Sequence, residues 1–191
     1  HARRRFLARA GAGAGVVALA GPLGPLGRIL PAGAQGLTDT AIAGFAQSVE
    51  LAAVAAYQAV AGALPPEVRP VGELFASHHQ EHANAFGAVA GGDARPEPNA
   101  ALVAAVTPTL EAVGRGEVAL PDILRFARTV ENQAVYTYAF ALTALQDPAF
   151  AAATSTILPV EAAHATVLSI AAGDAGIEAL FPTGAFEVAT V

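Results

Sequence analysis

The sequence predicts an all-α protein, in which four long helices form a bundle and a long connection links the second and third of them. Apolar residues make up 54% of the chain and charged residues only 14%, a composition typical of a globular protein with a core. Glycine and proline separate long alanine-rich segments, and no segment alternates apolar with polar residues as a half-buried strand does. The 191 residues are enough for one such domain.

Capping residues, prolines and glycines set the expected helix boundaries. The five expected helices cover residues 38–62, 70–91, 99–113, 121–146 and 147–173. Short connections join the first two helices and the last two, so each of these pairs is expected to be antiparallel. The long connection in the middle carries the short third helix, and it is expected to cross over from one helix pair to the other.

The residue types that the chain lacks exclude several kinds of site. There is no cysteine, which excludes disulfides and thiolate sites, and no methionine, which removes thioether ligands and weakens a cuprous-copper interpretation. Five of the ten basic residues lie in the first 28 positions, and all sixteen acidic residues come later. Without residues 1–34 the formal net charge would be −11. No basic patch remains, so nucleic acid is not an expected partner.

The N-terminal residues have the pattern of a twin-arginine export signal. The sequence R-R-R-F-L at 3–7 is followed by a weakly apolar, Gly- and Ala-rich segment at 10–27 and by A-G-A at 32–34, an A-x-A cleavage site. We therefore expect a signal peptide at 1–34 and a helical bundle with a C-terminal tail at 35–191. The twin-arginine export machinery would be a partner, and the protein would reach the periplasm or the cell exterior. An uncleaved signal would leave it anchored to a membrane.

The two long helix pairs resemble each other in sequence. Residues 49–57 and 130–138 both read V-E-x-x-A-V-x-x-Y, and a second match joins 82–91 to 164–173. The register pairs four polar positions of the two halves: Glu50 with Glu131, Tyr57 with Tyr138, His82 with His164, and His79 with Glu161. Alanine-rich helices align easily by chance, so these polar matches at fixed spacing are the informative part of the repeat.

Two glutamates stand in otherwise apolar helical segments. Helical spacing places Glu50 and Glu131 on the stripe that faces the core. A buried carboxylate without a partner costs several kcal/mol or takes up a proton, and a divalent cation between the helices would compensate it. The alternative is that both glutamates lie at the edge of the core and pair with Arg125, Arg128 or Gln133.

Histidines cluster where a second set of metal ligands is expected. Glu161 and His164 are three residues apart, so they share one face of the last helix. Three of the other histidines, His78, His79 and His82, fall on one stretch of the second helix. Either His78 or His79 can pair with His82 at helical spacing, and the register of the repeat favours His79.

On these residues the chain resembles the ferritin-like superfamily, and more narrowly the exported ferritin-like domain proteins of bacteria, over roughly residues 38–173. The resemblance implies a ferritin-like four-helix bundle with a dinuclear carboxylate site. The implied ligands are Glu50, His79, His82, Glu131, Glu161 and His164. His79 departs from the family pattern, which has a glutamate there; this departure favours a lower metal charge, zinc or copper, or one occupied position. A different helix rotation would bring in Glu81 or His78 instead.

The resemblance implies a metal-dependent function without choosing one. The first expectation is two divalent ions, iron before manganese, zinc or copper, acting on iron, O2 or peroxide as a ferroxidase- or catalase-like oxidoreductase. The alternative is a non-catalytic structural or stress-related bundle, whose metal is a single structural ion or absent. We expect Tyr57, Tyr138 and His78 to contact the ligands rather than bind metal. No catalytic residue is assigned, and the tail suggests a homodimer contact.

Overall fold

The computed structural model describes residues 38–174. The predicted signal peptide at 1–34 and the C-terminal tail beyond 174 lie outside the described residues, so the domain boundaries drawn there remain predictions.

Five helices form the described part of the chain. They are α1 (Asp39–Ala61), α2 (Arg69–Ala90), α3 (Ala100–Gly114), α4 (Leu120–Ala144) and α5 (Pro148–Ala171), and a 3-10 turn at Gly91–Asp93 follows α2. Residues 38–174 contain no strand. The prediction of an all-α bundle is confirmed, and the short extra helix in the long connection is α3.

Side-chain caps begin three of the helices at the positions that the sequence predicts. Thr38 Oγ1 accepts a hydrogen bond from the backbone N–H of Ala41, and Asn99 Oδ1 accepts one from Leu102. Asp147 caps α5 in the same way, accepting from two backbone N–H groups of the first turn. These bonds satisfy donors that the first turn of a helix leaves without partners, and they fix where α1, α3 and α5 start.

The four long helices pack as two hairpins joined through one face. α1 packs along α2, α4 packs along α5, and α2 contacts α5. One apolar cluster surrounds Phe86 and Phe150, and a second surrounds Phe75 and Leu168. On α2 these clusters lie on either side of His79 and His82. The core therefore has apolar material on both sides of the polar residues at its middle.

The crossover is attached to α1 along its first part. Asp93 accepts a hydrogen bond of 2.5 Å from Thr40, and the backbone N–H of Asn99 donates to the carbonyl of Ser48 at 2.8 Å. A Cβ added at Gly44 would lie 2.0 Å from the carbonyl oxygen of Asp93. Only glycine fits at this contact, so the crossover leaves α2 in close contact with α1 and places α3 beside it.

Among the described helices, α1 is long and apolar enough to cross a membrane by length and composition. The same helix packs along α2 and places Glu50 in the protein core. Core helices of water-soluble bundles have this composition as well, so α1 is accounted for by its place in the fold.

Candidate metal centre

Six ionisable side chains converge at the centre of the bundle, and all four long helices contribute to them. All six are at least 93% buried. They are Glu50 of α1, His79 and His82 of α2, Glu131 of α4, and Glu161 and His164 of α5. The structure thus brings together every residue that the sequence singled out as a metal ligand. We call these six residues the Glu/His cluster.

The ligand atoms of the Glu/His cluster fall into two overlapping groups. Within each group the candidate atoms lie within 4.8 Å of one another. The first group contains Glu50, His79, His82 and Glu161, and the second contains His79, Glu131, Glu161 and His164. His79 and Glu161 belong to both groups, so two neighbouring positions share these two side chains.

Glu161 connects the two positions through its two oxygens. Its Oε1 lies 2.8 Å from His82 Nδ1, and its Oε2 lies 3.2 Å from His164 Nδ1. Each oxygen therefore faces a histidine of a different group. A carboxylate arranged in this way can bind one ion through each oxygen, as bridging carboxylates do in dinuclear sites.

Several buried polar atoms of the cluster have no hydrogen-bond partner. His82 Nδ1, Glu131 Oε2 and Glu161 Oε1 are buried without one, although His82 Nδ1 and Glu161 Oε1 are only 2.8 Å apart. Two donors bound to one zinc ion at about 2.1 Å are about 3.0–3.4 Å apart at ordinary coordination angles. His82 Nδ1 and Glu161 Oε1 are slightly closer than this, so a bound ion would move them apart. The missing partners nevertheless fit atoms that face a common cation, because buried polar atoms are otherwise nearly always paired.

His79 occupies the centre of the cluster and contacts both repeat-related glutamates. Its Nδ1 lies 2.7 Å from Glu50 Oε2, and its Nε2 lies 3.3 Å from Glu131 Oε1. Burial alone would lower the pKa of His79, but the charges and hydrogen bonds of Glu131 and Glu50 raise it well above its ordinary value. Without a metal, a protonated His79 therefore donates to both carboxylates and neutralises part of their charge.

The other cluster residues form ion pairs of the same kind. Burial opposes ionisation of Glu50 and Glu131, yet hydrogen bonds and charges of the histidines hold both pKa values below their ordinary value. Burial raises the pKa of Glu161. Burial would lower the pKa of His82, but its ion pairs with Glu161 and Glu50 outweigh burial and raise that pKa to about 9. A metal ion must displace these protons before it can bind the imidazoles.

Two tyrosines make reciprocal hydrogen bonds across the bundle. Tyr57 of α1 donates to Glu131 of α4, and Tyr138 of α4 donates to Glu50 of α1. These are the positions that the internal repeat pairs, so the repeat corresponds to an approximate two-fold arrangement of side chains. Burial and the adjacent carboxylates raise both tyrosine pKa values well above the ordinary value, which keeps the hydroxyls as donors.

His78 lies beside the cluster and outside both ligand groups. Its Nδ1 is 2.9 Å from His164 Nε2, and the two rings are stacked with centroids 5.2 Å apart. Burial and the neighbouring His164 lower the pKa of His78, so His78 is expected to be neutral at neutral pH. The contact fixes the ring of His164, whose Nδ1 faces Glu131 and Glu161.

The charged residues offered as alternative partners have other contacts. Arg125 and Arg128 both bind Asp174, at 2.9 Å and 2.5 Å. Glu81 is exposed on α2. The two arginines thus hold the end of α5 against α4, and neither compensates Glu50 or Glu131 in this structure.

A cavity of about 130 Å³, which helical periodicity does not predict, adjoins the cluster between α1, α3 and α4. Its lining includes the cluster residues Glu50, His79 and Glu131. The apolar part of its lining includes Val49, Ala53, Leu102, Val106, Val130 and Ala134. Val49 and Ala53 are paired with Val130 and Ala134 by the internal repeat. The repeat therefore relates these residues to one another, but only the spacing of the helices shows that they surround a cavity.

The fold and the cluster define a class of protein, a four-helix bundle with a buried carboxylate and histidine site at its centre. The family model described as "Ferritin-like domain" matches residues 38–174, and the chain belongs to this family. No curated protein and no solved structure gave a match to the chain. The resemblance seen in the sequence is confirmed at the level of the ferritin-like superfamily.

Proposed function

We propose that the Glu/His cluster binds two divalent metal ions and that the protein acts on iron, O2 or peroxide as a metal-dependent oxidoreductase. The observation that supports this most strongly is the pair of overlapping ligand groups that share Glu161 and His79. The unpartnered atoms of His82, Glu131 and Glu161 support it further, since a cation would satisfy all three.

The first ion would be held by residues from three helices and the second by residues from two. Glu50, His82 and one oxygen of Glu161 would hold the first, and Glu131, His164 and the other oxygen of Glu161 the second. His79 can complete either set. Iron fits this mixture of carboxylates and imidazoles, and manganese, zinc and copper follow it. Bound metal ions would supply redox equivalents and open positions for a small oxidant.

Neighbouring side chains of the protein would hold the metal ligands in position. Tyr57 and Tyr138 hold one oxygen each of Glu131 and Glu50, which leaves the second oxygen of each carboxylate for a ligand bond. His78 holds His164 in the orientation that turns Nδ1 toward the glutamates.

Metal content per chain tests the proposal. The purified protein is loaded anaerobically with Fe²⁺, and separately with Mn²⁺ or Zn²⁺, and the bound metal is measured by elemental analysis. We expect two ions per chain for the wild type, and at most one for Glu161→Ala. The matched control, Glu81→Ala, removes an exposed glutamate of α2 and should retain both ions. Binding of no ion by the wild type would refute the metal site.

Turnover separates the enzyme from a protein that only binds metal. The iron-loaded and manganese-loaded proteins are mixed with O2 or peroxide, and Fe²⁺ oxidation or peroxide consumption is followed. Oxidation that depends on Glu161 supports an oxidoreductase. Two bound ions without turnover would restrict the function to metal binding.

A second candidate is a non-catalytic helical bundle with a single ion or none, and one observation favours it. His79 already lies between Glu50 and Glu131 at hydrogen-bond distances, and it carries a raised pKa. The protonated histidines then balance the buried carboxylates without a metal. A metal-free protein that unfolds at the same denaturant concentration with and without chelator, and with and without added Fe²⁺, would support this function.

We also propose that the protein is exported by the twin-arginine route, from the pattern at residues 1–34. The test fuses residues 1–34 to a folded reporter and measures its export. In the pattern R-R-x-F-L at 3–7 the twin arginines are Arg3 and Arg4. Replacing both by lysine should stop export, whereas replacing Arg9 and Arg28, which lie outside the arginine run, should not.

A further inference from the structure

The cavity beside the Glu/His cluster has mostly apolar walls. Val49 and Ala53 of α1, Leu102 and Val106 of α3, and Val130 and Ala134 of α4 are among its lining residues. Its volume is about 130 Å³. An apolar cavity of about 150 Å³ lined by Leu, Ile and Phe binds benzene, so this cavity is of a size that accepts a molecule of that kind.

Helix spacing creates this space. α2 packs against α5 on one side of the bundle, but α1 and α4 approach each other less closely on the other side, where the cavity lies. α3 contributes to the wall there, and its first turn is fixed to α1 by the bond from Asn99 to Ser48. The space thus results from how the crossover is attached and does not depend on one small side chain.

The charged part of the cavity lining comes from the Glu/His cluster. Glu50, His79 and Glu131 line the cavity, and so do Tyr57 and Tyr138, which donate hydrogen bonds to the two glutamates. A ligand in the cavity would therefore have apolar contacts along most of its surface and would also contact the cluster. An ionised ligand would lose its hydration among the apolar residues without gaining a partner there.

We propose that this cavity binds a small, uncharged, apolar organic molecule, of about the size of a benzene ring or a short alkyl chain, in contact with the Glu/His cluster. The role of that molecule as a substrate rests on the metal-dependent function proposed above, whereas its binding rests on the cavity alone. An apolar substrate would be a further substrate class for a site that otherwise suggests only iron, O2 or peroxide.

Benzene titration of the full-length protein tests the inference. Binding is measured by calorimetry, and contacts are located by NMR through transfer of magnetisation between benzene and the ring protons of Tyr57 and Tyr138. Ala134→Phe fills the cavity from α4, and Ala53→Phe fills it from the repeat-related position on α1. The matched control is Ala88→Phe, an equal enlargement at an exposed position of α2.

We expect saturable binding to the wild type and to Ala88→Phe with dissociation constants within twofold, and binding at least tenfold weaker in a folded filling variant. Two filling variants are used so that the comparison can still be made if one of them does not fold. The inference would be overturned if benzene showed no saturable binding to the wild type. It would also be overturned if benzene bound without contacts to Tyr57 and Tyr138. Metal content measured on the same samples shows separately whether the metal-dependent function fails.

Discussion

His79 determines the charge balance of the buried cluster. It stands where the other half of the internal repeat has Glu161, and it contacts Glu50 at 2.7 Å and Glu131 at 3.3 Å. The histidine exchanges a negative charge for a group that is protonated when no metal is bound. The cluster is therefore stabilised in two ways, by protons in the metal-free protein and by cations in the loaded one.

Replacing His79 by glutamate tests this charge balance. In His79→Glu, the metal-free protein gains a fourth buried carboxylate and loses the cation between Glu50 and Glu131. We expect its free energy of unfolding to fall by about 3–5 kcal/mol, and saturating Mn²⁺ to recover most of that loss. Urea unfolding with chelator and with Mn²⁺ measures both values. His78→Glu, one residue away and outside both ligand groups, should lose far less; equal losses would contradict the central place of His79.

The pKa of His82 predicts how pH acts on the metal-free protein. It is raised from 6.5 to about 9 in the folded state, so its contribution to stability is fully present below pH 6.5 and is lost as pH rises through 9. Over the same range the imidazole becomes free to bind metal, so metal affinity should increase. Unfolding free energies and Zn²⁺ affinities at pH 6 to 9 measure the two trends. His82→Asn should flatten both, and a wild type with no slope would disprove the assignment.

At the residue scale, spacing predicted which side chains meet, but it did not predict how they pair. Helical period and the repeat were sufficient to bring Glu50, Glu131 and Glu161 to one place with the histidines. The orientation of His79 between two carboxylates depends on how far α1 stands from α4, and so do the reciprocal bonds of Tyr57 and Tyr138. That distance follows from tertiary packing, which periodicity does not encode.

At the element scale, α3 is the part of the bundle that departs from four simple helices. It begins at Asn99, whose side chain caps the helix through Leu102 and donates to Ser48 Oγ at 3.3 Å. The same side chain therefore starts α3 and fixes it to α1. Because α3 also lines the cavity, its cap links local helix stability to the space beside the cluster.

Removing the cap should destabilise this element selectively. For Asn99→Ala we expect a loss of about 1–2 kcal/mol in unfolding free energy, because both the cap and the side-chain hydrogen bond to Ser48 Oγ disappear. Amide hydrogen exchange should accelerate most in α3. Asn84→Ala removes an exposed asparagine of α2 that bonds only Gln80 among the described contacts, and it should change stability by less than about 0.5 kcal/mol. Uniform exchange across the bundle in Asn99→Ala would contradict the local role.

Helix boundaries were predictable because caps and breakers are local signals. Thr38, Asn99 and Asp147 mark the beginnings of α1, α3 and α5 within a residue of where the structure has them. The helix ends were predicted less accurately: α4 was expected to reach residue 146 but ends at Ala144. Just beyond this end, the backbone N–H groups of Gln146 and Asp147 donate hydrogen bonds to Asp39. That contact joins residues over a hundred positions apart, which no local signal reports.

At the scale of the whole molecule, the cluster joins all four long helices at one point. Each helix contributes at least one of the six side chains, and α2 and α5 contribute two each. The apolar clusters around Phe86 and Phe75 stabilise the bundle on both sides of this point. A cation bound there contacts groups from both hairpins, so metal binding and the docking of one hairpin on the other are thermodynamically linked.

Metal should therefore stabilise the whole bundle cooperatively. At a free metal concentration one hundred times the dissociation constant, one site adds about 2.7 kcal/mol to the free energy of unfolding. Chelator should lower the denaturation midpoint in a single transition, without first releasing one hairpin. Glu161→Ala removes the shared carboxylate and should reduce the shift of the midpoint with chelator by at least half, whereas Glu81→Ala should behave as the wild type. Two separate transitions in the chelated protein would show instead that the hairpins fold independently and that the cluster does not couple them.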